Sequence, residues 1–210
     1  PVDRDAIEPA LNLLKEAGIP VINFDTSVAN MDLIDGYVAT DNVQAGVLCA
    51  EALLADFPDG ADIAVLNYPA NSACLDREQG FLDTIEGKDI NILETFDAEG
   101  VVGNGESITS DILQSHPDID AIFCINDQSG MGAFAAVTVA GSSAKIYGVD
   151  GAPDAKEAIS QENSVYAMTA AQSPVKIGKE CYAMALEILA NGEPTEFQID
   201  VPAFTIDKSN

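Results

Sequence analysis

The sequence predicts an α/β fold built on a parallel, doubly wound sheet. Three observations carry that reading. Short runs rich in Val and Ile alternate with longer helical stretches along the whole chain. The clearest runs are apolar almost throughout, as strands buried on both faces of a parallel sheet are. Polar residues then close each clear run and lead into the next helical stretch.

The elements follow in order. PVDRDAIEPALNLLKEAGIPV reads as a turn leading into an amphipathic helix over 6–17, ended by Gly18, whose missing Cβ suits a left-handed cap. A helix feeding a strand at the very start suggests that a strand precedes it, so a fragment of something longer is expected. Strands are expected at IPVINFD (19–25), ADIAVLNYP (61–69), DAIFCIND (120–127) and AKIYGVDG (144–151). Weaker ones lie at DGYVAT (35–40), NILETF (91–96), SVYAMTAAQ (164–172) and FQIDVP (197–202). Helices fall near 43–56, 73–86, 106–115, 128–140 (with Gly141 as its cap), 153–161 and 175–191. TDN (40–42), QSP (172–174) and the tail after Pro202 are candidate crossing points between two lobes.

Composition excludes several function classes. The 210 residues, 47% apolar, can bury a sizeable core, and no run approaches a membrane span. A formal charge of −26 argues against nucleic acid and anionic membrane surfaces. Cys49, Cys74, Cys124 and Cys181 form no CxxC pair and read as buried thiols. With His116 the only histidine, neither a zinc site nor triad chemistry is expected. GVVGNGES (100–107) is glycine-rich but is no phosphate loop, and neither a GxGxxG fingerprint nor a calcium loop is present. No acid–nucleophile pair stands out, so no catalytic residue, metal or cofactor is assigned.

The polar strand ends are the candidate site: Asp25, Asn67 and Tyr68, Asn126 and Asp127, Asp150, then Gln172. Ligands of open parallel sheets bind at the carboxyl ends of strands. A mixture of carboxylates and amides suits a neutral, hydroxyl-rich ligand, because each hydroxyl both donates and accepts. Helix capping explains any single Asp or Asn equally well. Arg77, in NSACLDREQGF, is one of two arginines. It could fork hydrogen bonds to vicinal hydroxyls, or pair on the surface with Asp76, Glu78 or Asp83.

The segments PVDRDAI, AGIPVINFD, VATDNVQAGVLCAEAL, NSACLDREQGF, SHPDIDAIFCINDQSGMGAFAAVTVAG, YGVDGAPDAKEAI, AMTAAQSPVKIGKECYAMALEILANGE and VPAFTID cover nearly the whole chain. In this order they resemble the ribose-binding-protein branch of the type I periplasmic sugar-binding proteins. The resemblance implies two Rossmann-like lobes closing on one monosaccharide or similar polyol, for an ABC importer or a chemoreceptor, outside the cytoplasm in the periplasm or as a cell-surface lipoprotein. It implies Asp25, Arg77, Asn126, Asp150 and Gln172 as sugar ligands and no enzymatic activity. Thr26 stands where the ribose binders carry arginine. Gly100 stands where they carry an aromatic, a role open to Phe96 or Tyr68. The family's opening strands have no counterpart here. Residues 41–172 are therefore expected to form a complete second lobe, and 1–40 with 173–210 the remnant of an incomplete first. Such a remnant would bind sugar weakly or not at all and self-associate through its uncovered edge. The rival reading is the effector core of a LacI-type regulator, which shares VATDNVQAG and AIFCIND; the acidic charge opposes it.

Overall fold

A computed structural model describes residues 4–209. They divide into two compact units. The first gathers the described residues up to Asp41 with Asn71–Ala73 and Ser173–Pro202, and the second gathers Asn42–Ala70, Cys74–Gln172 and those from Ala203 onward.

The first unit contains α1 (Glu8–Glu16), β1 (Ile22–Phe24), a 3-10 turn at Met31–Leu33, β2 (Gly36–Thr40), α7 (Pro174–Asn191) and β8 (Gln198–Val201). Its sheet runs β1-β2-β8, all parallel. The central strand β2 is buried along its whole length, so its alternating side chains feed two apolar layers. Tyr37 and Ala39 join Leu11, Val28 and Ile34 on one side. Val38 joins Ile177, Met184 and Ile188 on the other.

The second unit holds α2 (Asn42–Asp56), β3 (Ala61–Asn67), α3 (Ser72–Ile85, its first turn counted with the other unit), β4 (Ile90–Asp97), α4 (Val102–Ser115), β5 (Ala121–Cys124), α5 (Asp127–Ala140), β6 (Lys145–Asp150), α6 (Pro153–Ser160), β7 (Tyr166–Ala171) and β9 (Phe204–Asp207). The strand order is β4-β3-β5-β6-β7-β9, parallel except for β9. The chain steps outward from β3 to β4, then jumps back across β3 to β5. The strand order therefore reverses between β3 and β5, where an open α/β sheet leaves its ligand crevice. Helices cover both faces. One layer packs Leu53, Phe81 and Phe123, the two rings stacked at 4.0 Å. The other packs Leu66, Ile122, Val137 and Ile159.

Two expectations are corrected. The helix expected from 106 begins earlier, at Val102, so most of the glycine-rich 100–107 run is helical. Gly105 permits close packing, since a Cβ there would sit 2.3 Å from the Ser129 carbonyl of α5. The tail beyond Pro202 is not part of the first unit. β9 pairs antiparallel with β7, Thr205 opposite Ala170, and extends the six-stranded sheet.

All four cysteines are free thiols, Cys49, Cys74 and Cys124 buried and Cys181 half-buried. No helix among the described residues is long and apolar enough to cross a membrane.

Candidate functional site

Arg77 is the centre of the second unit's polar cluster. The surface ion pairs that its neighbours offered are not its role, for it is only 5% exposed. From α3 its Nε donates to Asn42 Oδ1 at 2.9 Å, and Nη1 donates to the Ile125 carbonyl at 2.9 Å. Nη1 also lies 3.2 Å from Asp150 Oδ1. A buried guanidinium needs such a set of acceptors, because an unmatched N–H in the interior costs its full desolvation.

Asp150 ends β6 with φ 136°, backbone that a side chain rarely adopts, and Gly151 follows at φ 74°. Gln172, just past β7, locks the turn twice. Its backbone N–H donates to the Asp150 carbonyl at 3.0 Å, and its Nε2 donates to Asp150 Oδ1 at 2.7 Å. Both side-chain partners reach Oδ1; among the described residues nothing donates to Oδ2. The carboxylate is thus oriented, about a third exposed at 29%, and has one oxygen available to an incoming hydroxyl.

Asn126 follows β5 and caps α5. Its Oδ1 accepts the Ser129 N–H at 3.0 Å and the Ser129 hydroxyl at 2.7 Å, while Nδ2 donates to the Gly100 carbonyl at 2.9 Å. Capping therefore accounts for its position fully. It stands next to Ile125, whose carbonyl holds Arg77. Asn67 donates to Glu78 Oε1 at 3.1 Å. Of the two aromatics weighed for the Gly100 position, Tyr68 is the neighbour: a Cβ on Gly100 would lie 3.5 Å from its ring. Phe96 packs into the apolar layer of α4 and α5 instead.

Asp25 belongs to the first unit. It closes β1 at φ 68°, its N–H bonded to the Val38 carbonyl at 3.0 Å and its own carbonyl accepting Tyr37 Oη at 2.6 Å. Its exposed side chain borders a groove of about 470 Å³ lined by Ile7, Leu11, Phe24, Thr26 and Val28.

Arg77, Asp150 and Gln172 are thus in direct contact, Asn126 adjoins them, and Asp25 lies in the other unit. Asn42, which anchors Arg77, opens α2 in a stretch that the sequence marks only as a crossing point. Asp127, which the sequence places among the polar strand ends with helix capping as the alternative, is buried. No group of three His, Cys, Asp or Glu among the described residues could hold a metal ion. His116 pairs with Glu94 at 3.4 Å, away from this cluster.

Known proteins resemble this chain closely. A periplasmic binding protein domain model matches residues 1–194. The ribose import binding protein of Salmonella typhimurium is 30% identical over 203 residues, 96% of this chain and 67% of that protein. The Bacillus subtilis ribose import binding protein is 32% identical over 96% of this chain and 65% of its own length. A solved periplasmic solute-binding protein of an ABC transporter from Actinobacillus succinogenes, with bound D-allose, superposes with a TM-score of 0.89 at 28% identity. That match covers 99% of this chain and 74% of the solved one. The chain spans about two thirds of the length of the ribose import relatives it matches.

Proposed function

This chain belongs to the periplasmic binding protein domain family, and from that premise we propose that it is an extracytoplasmic solute-binding protein, which captures a monosaccharide or similar polyol for an ABC importer. The observation that carries the reading is the Arg77–Asp150–Gln172 cluster at the carboxyl ends of the strands. A guanidinium, a carboxylate with one available oxygen and a primary amide converge there. That set answers a hydroxyl-bearing ring, whose neighbouring OH groups alternate as donor and acceptor. Relatives named for ribose import and a fold neighbour holding D-allose support the same ligand class.

In this reading Arg77, Asp150 and Gln172 grip the ligand, Asn126 shapes the pocket through the Gly100 loop, and Tyr68 supplies an apolar wall. The second unit is the family's second lobe, now including β9, and the first unit belongs to its first. A permease complex is the delivery partner, with a chemoreceptor as the other recipient of this kind of protein. A lipid-anchored form at a cell surface is compatible with this role. The sugar is bound and released chemically unchanged.

The test is a thermal-shift and calorimetry screen of D-ribose, D-allose and D-fructose against this chain. A ligand at 100 times its Kd should add about 2.7 kcal/mol to stability. At least one sugar should raise the midpoint saturably and be recovered intact. Indifference to every sugar, or conversion of one, would refute the assignment.

A further inference from the structure

A second carboxylate, Asp127, stands at the start of α5, only 1% exposed and near enough to feel the charge of Asp150. Its Oδ2 accepts the N–H of Ala152 at 2.7 Å, and its Oδ1 accepts Tyr166 Oη at 2.8 Å. Thr169 also donates to it, while the Thr169 Oγ1 accepts the N–H of Gly151 at 3.1 Å. Two successive amides of the Asp150–Gly151–Ala152 turn are therefore tied, directly or through one hydroxyl, to a single buried charge. This is the turn whose backbone is strained at Asp150, with Gly151 following in a conformation that glycine adopts freely. Strain of that kind persists only where surrounding bonds hold it.

We propose that Asp127 is a positioning residue of the sugar site: ionised, it holds the strained Asp150 turn in its binding shape, and protonated, it lets the turn relax and weakens sugar binding. The inference rests on the functional reading above, because it concerns that same site. A charge-assisted bond to an amide N–H is roughly twice as strong as a neutral one, so the anchor on Ala152 weakens when the charge goes. Every neighbouring element sets the balance. Burial raises the pKa of Asp127 to about 6; the bonds from Ala152, Tyr166 and Thr169 oppose that rise, and the Asp150 charge adds to it. The buried thiols Cys124 of β5 and Cys49 of α2 face it as neutral groups, their own ionisation driven far up by burial first and then by Asp127. Tyr166 of β7 stays a phenol for the same reasons. Arg77 of α3 reaches the group through Asp150.

The sign separates this role from a merely structural one. The folded-state pKa lies above the unfolded one, so this group adds stability as pH falls through about 6 toward the ordinary carboxylate range. Acidification therefore loosens the site while Asp127 itself makes the fold more stable.

The experiment has two arms. In the first, the Gly151 and Ala152 amides of this chain are followed by NMR without sugar between about pH 8 and about pH 5. They should titrate with a midpoint near 6, earlier or later only if Asp127 does, and should stay flat in Asp127→Asn. In the second arm, D-ribose and D-allose are titrated by calorimetry. Affinity should fall about tenfold per pH unit below the midpoint and lose that dependence in Asp127→Asn. Tyr166→Phe removes a donor to the carboxylate and should move the midpoint upward, which keeps the test alive if the first variant folds poorly. Unmoved amides, or a pH-independent sugar affinity in the unmutated chain, overturns the proposal. Amides that titrate in a chain that binds no sugar support the anchoring of the turn and refute the sugar assignment instead.

Discussion

Gln172 Nε2, just past β7, and Arg77 Nη1, from α3, reach the same oxygen of Asp150, at 2.7 and 3.2 Å. The convergence fixes one oxygen of a carboxylate that stays partly exposed. It also makes Arg77 the residue whose loss should be felt most widely.

Arg77→Leu should cost about 2–4 kcal/mol of stability, measured by urea denaturation, because it strands Asp150 and leaves the Ile125 carbonyl and Asn42 without their donor. Gln172→Leu removes one partner from a partly exposed carboxylate and should cost about 1 kcal/mol or less, yet weaken sugar binding comparably. Equal stability losses in the two variants would contradict the network as described.

Gly105 and Gly103 stand two residues apart on α4 with opposite surroundings. A Cβ on Gly105 would meet the α5 backbone, while one on Gly103 meets nothing within 4 Å. Gly105→Ala should destabilise by about 1–3 kcal/mol through overpacking. Gly103→Ala should stabilise by about 0.5–1 kcal/mol, since alanine loses less backbone freedom in a helix. Thermal midpoints of the two variants moving in the same direction would sink this account of the α4–α5 contact.

The formal charge of −26 repels itself in the folded state. Added salt shortens the screening length from about 30 Å at 0.01 M to about 3 Å at 1 M. The melting temperature should therefore rise by several degrees over that range, roughly, and equally with sodium, potassium or choline chloride. A response confined to one cation would point to a bound ion instead of screening.

The outer face of α7 exposes Val175, Tyr182, Leu186 and Leu189, the last at 77%. Their spacing of seven, four and three places them on one stripe. This chain should self-associate with rising concentration in sedimentation experiments, and Leu186→Glu with Leu189→Lys should return it to monomer. A monomer at all concentrations would remove the stripe as a cause of association.

Much of the fold is legible because it rests on local pattern. Of the four apolar runs that predict buried strands, β3, β5 and β6 are buried as expected, whereas the first forms only the short edge strand β1, with Phe24 exposed; Gly18 and Gly141 both take the left-handed backbone expected of them. What the pattern hides depends on distant partners. The need for glycine at Gly105 shows only once α5 is placed against it. FTID beyond Pro202 is too short to declare itself a strand, and its partner β7 is more than thirty residues away. In the site, residue types at strand ends point to Arg77, Asp150 and Gln172, but burial decides their meaning. Arg77 has acidic neighbours in sequence and uses none of them; its acceptors come from α2, β6 and the end of β5. Asn126 obeys the capping rule, so its type alone does not separate ligand contact from helix start. Asp127 carries no local mark of its burial, which follows from Tyr166 and Ala152 closing over it.

The central claim, that a sugar is held by Arg77, Asp150 and Gln172, is tested most directly by an amide NMR titration of this chain with D-ribose and D-allose. Saturable shifts should concentrate at Asp150, Gly151 and Gln172, together with the Arg77 side-chain N–H, and should vanish in Asp150→Asn while the rest of the spectrum stays folded. Shifts that instead map to the groove of about 1000 Å³ between Lys156 and Phe204, or no saturable shift with either sugar, would contradict it.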